Sequence, residues 1–292
     1  MPEAVLPIAI SLEHQSTYLP NEARDLFLRQ VTVRDLERDA DRDVEWIAPL
    51  RRALHVLKGT VSRDYVDLNR PRNALVDENG RQGAIYTHTL HGQPLYPDGH
   101  RISEKEREDR LKKYWDPFYG SLKTELMDPK VRLCARVHHF PHRAPPLIDP
   151  NRAFRPHMVL SNRGEMETGE KESASPIDGT PPACHPEVFR FMLRRLRELS
   201  PKDWDIRGND PFRGGYTTEF SADPKLLQEK FKVTPSFLGT VQLETRVELF
   251  REDSPEGYPW VVRGQDAVIL RDRYTQLIEE TLETFKQVEP WF

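Results

Sequence analysis

Two histidines stand where apolar runs stop. His14 follows the run Ala4–Leu12, and His138 lies near the end of Val131–His139, VRLCARVHH. Asn69 and Arg70 follow a third run, Thr60–Leu68, within SRDYVDLNRP, and Arg63 and Asp67 lie inside it. Glu244 falls within a fourth, Gly239–Phe250. If these runs are strands of one open α/β sheet, binding groups gather beyond their carboxyl ends. Glu244 joins them if its strand is parallel to the others. Two imidazoles, a carboxylate and two guanidinium groups in one place have the makings of metal-assisted hydrolysis. Catalytic zinc uses three protein ligands, commonly two His and one acid, and keeps one position open. The metal lowers the pKa of water toward ~7, and a further carboxylate serves as general base.

The elements that must position these groups follow from periodicity. Ala4–Leu12 is apolar and partly β-branched, so it is expected to be the first strand. Val44, Ile47, Leu50, Leu54 and Leu57 recur at helical spacing before Lys58-Gly59, which predicts a helix over Val44–Leu57. Thr60–Leu68 then reads as a strand, giving a β-α-β rhythm. Residues 71–100 are rich in Gly, Pro, Asn, Asp and His and read as a long, functional loop. Ser103 and Glu106 fit a capping box. The helix they open carries Leu111, Tyr114, Trp115, Phe118, Leu122 and Leu126 as a core stripe, with a kink expected near Pro117 and Gly120. Val131–His139 is the next strand. Residues 164–182 are expected to be a mobile loop. Pro186–Leu199 is a helix with a basic face, Asp203–Ile206 a short strand, and Gly239–Phe250 a strand that turns helical after Glu244. Ala267–Val288 is the terminal amphipathic helix. The pattern predicts an α/β fold: a mixed, largely parallel central sheet flanked by helices, in a single domain over 1–292.

The bulk numbers exclude several functions. Basic residues number 43 and acidic ones 47 among 292, a net charge of −4, so no basic excess invites nucleic acid. No apolar run reaches the ~18 residues of a membrane span, and the N-terminus lacks a basic leader. The two cysteines, Cys134 and Cys184, are far apart and suit a reducing compartment. A cytoplasmic protein acting on a small molecule is the expectation.

The segments ISLEHQSTYLP, SRDYVDLNRP, GQPLYPDGH, REDRLKKYWDPFY, RVHHFP, NDPFRGGYTTEF and VQLETRVELF, in that order and spacing, resemble the N-formylglutamate amidohydrolases. That family is allied to the zinc carboxypeptidases and aspartoacylases. The resemblance runs from about residue 8 to residue 250 and implies a zinc-exopeptidase-like fold. It implies that His14 and His138 ligate one zinc ion, with Glu45 as the third ligand and Asp41 and Asp43 as close competitors. Glu244 matches the glutamate of the family's Q-x-E element and would be the general base. Asn69 and Arg70 match a shared D-L-N-R element and would bind a small carboxylate substrate. Arg63 would steady the oxyanion and Asp67 would hold an arginine in place. Arg213 is a second candidate carboxylate clamp, and Gly214 and Gly215 would let backbone approach the ligand. The implied activity is hydrolysis of the amide in an N-acyl amino acid. Two departures motivate alternatives. Arg136 stands where the family has an aspartate two residues before the histidine, and Tyr119 replaces a histidine. A metal-free relative acting as a binding or scaffold protein is one alternative, and a peptidase using the same site is another.

Overall fold

The computed structural model describes residues 4–75, 83–170, 180–252 and 261–292. Six strands form the central sheet: β1 (Leu6–Leu12), β2 (Ala53–Lys58), β3 (Leu133–Phe140), β4 (Met158–Ser161), β5 (Ile206–Gly208) and β6 (Gly239–Arg246). Their order is β2-β1-β3-β6-β4-β5. β2, β1, β3 and β6 are mutually parallel, and β4 pairs antiparallel with β6. β5 is parallel to β4. The sheet is therefore mixed and largely parallel, with helices packed on it, as the pattern predicts.

Side-chain alternation divides the sheet into two unlike faces. Ile8, Ile10 and Leu12 of β1, Leu133, Ala135 and Val137 of β3, and Val241 and Leu243 of β6 share one apolar cluster. Helices α5 (Pro186–Glu198) and α8 (Gly264–Thr284) bring Val188, Phe189, Met192, Leu270, Tyr274 and Leu277 into that cluster. The opposite face begins apolar, with Ala9 and Cys134 packed on Leu126, Leu227 and Phe237. Toward the carboxyl ends it turns polar. Ser11 pairs in register with Arg136, Arg136 with Gln242, and His138 with Glu244. All of these side chains are buried. A polar row this deep must satisfy its own hydrogen bonds, and it is the row that carries the site.

Two expectations are corrected. No helix runs over Val44–Leu57: two short 3₁₀ turns, Val44–Trp46 and Leu50–Arg52, lead into β2. β2 is an edge strand with little inside-outside alternation, so its Leu54 and Leu57 fall into helical spacing by accident. Thr60–Leu68 is not a strand. Tyr65 N and Val66 N both donate to Ser62 O at 3.0 Å, forming a turn. Its Val61, Tyr65, Val66 and Leu68 are nevertheless buried, in a second apolar cluster with Phe27, Leu36, Tyr86 and Trp115. Their strand-like composition is used for burial without a ladder. The long helix is interrupted by a π turn, Leu111–Trp115, between α3 (Glu104–Arg110) and α4 (Asp116–Met127). Pro117 sits in the first turn of α4, where its missing N–H costs least. The ladder widens just before it.

Other expectations are met closely. The terminal helix covers Gly264–Thr284, and β6 passes into a 3₁₀ turn at Val247–Leu249. The capping box expected at Ser103 and Glu106 forms only by half: Ser103 Oγ accepts from Glu106 N, while the Glu106 carboxylate turns to Arg110 instead of to Ser103 N. Of the loop expected over 164–182, residues 171–179 lie outside the described residues. β4 has no counterpart in the sequence reading: its four residues are all buried and too few to show a period. Among the described residues, no helix is long and apolar enough to cross a membrane.

Candidate active site

β1 and β3 deliver the two histidines side by side, with ring centroids 5.0 Å apart. The third member comes from the segment after α2 (Val33–Asp39). Thr32 and Asp35 close a reciprocal capping box at the start of α2, a device worth about 1 kcal/mol. At the far end Asp41 N donates to His14 O at 2.9 Å, which pins the chain to the exit of β1. Asp41 Oδ2 then lies 2.7 Å from His138 Nδ1 and 3.6 Å from His14 Nδ1. Ligand atoms of His14, Asp41 and His138 fall within 4.8 Å of one another, and all three residues are buried.

The opposite nitrogen of each ring is held by a second carboxylate. His14 Nε2 hydrogen-bonds Asp67 Oδ1 at 2.8 Å. His138 Nε2 stands 3.0 Å from Glu13 Oε2, within ion-pair reach but off the line of a good hydrogen bond. Both rings thus turn Nδ1 toward Asp41. Burial opposes charge on His138, but Glu13 and Asp41 on either side hold its pKa well above the ordinary histidine value. Burial likewise opposes ionisation of Glu13, and His138 and Arg136 bring it down to about 2. Asp41 and Asp67 are both held well below the usual carboxylate range: burial is overcome by His138 and His14 for Asp41, and by His14 and Arg63 for Asp67. These ionised carboxylates around two imidazoles are a donor set that would suit a divalent cation held by His14, Asp41 and His138.

Glu45, predicted as the third ligand, lies elsewhere. It is exposed and pairs with Lys58 Nζ at 2.7 Å. Asp43, in a left-handed conformation, faces Arg251 at 3.7 Å. Of the three acids weighed, the geometry brings Asp41 to the histidines. Arg136 also has a place. Its Nη1 donates to Ser11 Oγ at 3.0 Å and its Nη2 to Ser221 Oγ at 2.8 Å. Ser11 Oγ in turn donates to Glu13 Oε1 at 2.5 Å. The carboxylate expected at position 136 is thereby supplied from the neighbouring strand by Glu13, one residue before His14. Tyr119 donates to Leu68 O at 2.8 Å and stacks on Trp115, so it builds the wall and not the centre.

Glu244 lies across from His138 in the β3–β6 register and accepts from Gln242 Nε2 at 2.6 Å. Burial raises its pKa to about 7, against the pull of His138. Arg63 Nη2 donates to Asp67 Oδ2 at 3.1 Å, and the same oxygen accepts from Tyr86 OH. Asp67 Oδ1 also accepts from Asn69 N at 2.7 Å. Asp67 is thus the hub that orients His14, Arg63, Asn69 and Tyr86 together. Arg70 Nε reaches Tyr86 OH at 3.3 Å. Asn69 Oδ1 accepts from Thr217 N and Thr217 Oγ1 at 3.0 and 2.9 Å, which leaves its Nδ2 unpaired among the described residues. Gly214 has φ +98, and a Cβ at Gly215 would overlap the Asn69 amide, so this pair of glycines is required for the approach. Gly215 N donates to Gln242 Oε1 at 2.9 Å. Arg213 is half exposed, 3.8 Å from Glu165. A cavity of about 1500 Å³ opens over the site and is lined by His14, Asp41, His138, Glu244, Arg70 and Arg213, among others.

The chain is similar to known proteins. The sequence profile of the N-formylglutamate amidohydrolases (FGase) matches residues 6–228. An N-formylglutamate deformylase of Pseudomonas putida is 32% identical over 286 residues, covering 97% of this chain and 96% of that protein. The crystal structure of an N-formylglutamate amidohydrolase from Ralstonia eutropha JMP134 superposes with a TM-score of 0.68 at 19% identity, over 97% of this chain and 95% of that one.

Proposed function

The chain belongs to the N-formylglutamate amidohydrolase family, and from that premise we propose that it hydrolyses the amide bond of N-formylglutamate or a close N-acyl analogue. The observation that carries this reading is the meeting of His14, Asp41 and His138, with Glu244 facing His138 across two paired strands. His14 Nδ1, His138 Nδ1 and an Asp41 oxygen would hold a zinc ion. Zinc bound there supplies Lewis acidity that polarises water and the scissile carbonyl. Glu244 takes the proton from the attacking water and returns it to the departing amine nitrogen, so that formate and the free amino acid leave. A carboxylate buried enough to titrate near neutrality suits both halves of that exchange. Arg63, fixed by Asp67, steadies negative charge on the carbonyl oxygen. The Asn69 amide, Arg70 and Arg213, with the Gly214 backbone, receive substrate carboxylate.

Two measurements test the reading. Purified protein should carry about one zinc per chain and release formate from N-formylglutamate. Chelation should stop the release and zinc should restore it. Protein that is reconstituted with zinc yet releases no formate would return the weight to a binding role. The Glu13 carboxylate behind His138 gives a finer check. Glu13→Gln should weaken zinc affinity ~10–100-fold in a competition titration, because a ring nitrogen loses its charged partner. Unchanged affinity would mean that Ser11 and Arg136 hold Glu13 for packing alone.

A further inference from the structure

Arg155 lies in the connection between β3 and β4 and lines the same cavity as Glu244. Its guanidinium rests on an aromatic platform, 4.9 Å from the Phe212 ring centre and 5.8 Å from that of Phe140. Those two rings pack on each other at 5.1 Å. Among the described residues no carboxylate lies within ion-pair distance of Arg155, and no acceptor takes its guanidinium N–H groups. Most other cavity arginines are engaged. Arg63 is bound to Asp67, Arg207 to Asp205 and Asp210, and Arg251 faces Asp43. Burial pulls the pKa of Arg155 below the ordinary value, with Glu244 and Asp149 only partly offsetting it. A cation stacked on rings by its face keeps its in-plane N–H donors free for a carboxylate fork. A half-buried guanidinium without an anion is a site awaiting one.

We propose that Arg155 is the residue that binds the second carboxylate of the N-formylglutamate-type substrate and so sets the preference for it over uncharged analogues. The inference rests on the amidohydrolase reading and adds a specificity residue to it. Asn69 and Arg70 approach from the Asp67 side of the site, and Arg155 approaches from the β3–β4 connection. A substrate held at both ends presents its amide between them, beside Glu244 and the histidines. The aromatic platform fixes the guanidinium in place before the substrate arrives, so little ordering remains to oppose binding.

The test compares N-formylglutamate with N-formylglutamine, which has the same shape without the second charge, and with N-formylnorleucine. For the wild type, kcat/KM should favour N-formylglutamate over N-formylglutamine by ~100-fold, the scale of one charged partner lost from a half-buried pair. In Arg155→Ala and Arg155→Gln that ratio should collapse toward unity, chiefly through KM. Arg155→Lys, which keeps charge but not the fork, should retain an intermediate ratio. Zinc content and circular dichroism of each variant identify any that misfold. The proposal is overturned if the preference survives in both Arg155→Ala and Arg155→Gln, or if all three substrates lose equally while zinc content is intact. A wild type that releases formate from none of the three overturns the amidohydrolase reading itself and this inference with it. A wild type that hydrolyses N-formylglutamate and N-formylglutamine equally overturns only the assignment of Arg155.

Discussion

Asp41→Ala protein will hold zinc at least ~100-fold more weakly than the wild type, and its amidase activity will fall in step. Loss of a group merely behind a ligand costs ~10–100-fold, so loss of a ligand sets that range as a floor. Asp41 Oδ2 lies 2.7 Å from His138 Nδ1 and 3.6 Å from His14 Nδ1. Without it, two imidazoles remain with no acid between them. Glu45→Ala is the companion experiment. Glu45 is exposed and, among the described residues, paired only with Lys58, an interaction worth ~0–1 kcal/mol, so that variant should match the wild type in zinc content and rate. Competition titration against a chromophoric chelator reads both. If Glu45→Ala lost zinc and Asp41→Ala kept it, the ligand set drawn here would be wrong.

Glu244→Gln separates chemistry from assembly. The amide side chain keeps the shape and can still accept from Gln242 Nε2, but it cannot take a proton from water. The rate constant kcat should fall ~10³-fold, about 4 kcal/mol of transition-state stabilisation, with KM and zinc content close to wild type. On the acid side, wild-type activity should decline as Glu244 becomes protonated, and the residual activity of the variant should lack that limb. A Glu244→Gln enzyme with near-normal kcat would move the base to another group.

Much of this site was legible in the sequence because the strands that carry it obey a period of two. Apolar residues at 8, 10 and 12, at 133, 135 and 137, and at 241 and 243 mark one buried face, and Gln242, Glu244 and His138 fall on the other. The two histidines, Glu244, Asn69, Arg63 and Arg70 all line one cavity. The third member of the His14–His138 cluster was harder to read. Four acids crowd residues 39–45, and only the backbone bond from Asp41 N to His14 O selects among them. That bond joins residues far apart in the sequence and leaves no periodic trace. Glu13 was missed for a similar reason. An acid at a strand exit looks solvated until the neighbouring strand is known to place Arg136 and His138 beside it. The misread helix over 44–57 shows the same limit, since an edge strand of six residues has no strong period of its own. Arg155 carries no motif; the only available signal was its setting between the expected strands, where a lone arginine reads as a surface residue.

The reversal of β4 has a further result. Because β3 is parallel to β6 and β4 antiparallel to it, the chain leaves β3 and re-enters the sheet at the same end, the carboxyl end of β3 and β6. The 17-odd residues between Phe140 and Met158 are therefore obliged to arch over the catalytic end, whatever their sequence. Only its last residue, His157, joins the sheet by backbone bonds among the described residues, to Arg246 and Asp205; from His142 to Arg155 its backbone bonds are made within the arch itself. With Arg155 assigned as proposed, selectivity and fold stability would reside in separable stretches of polypeptide.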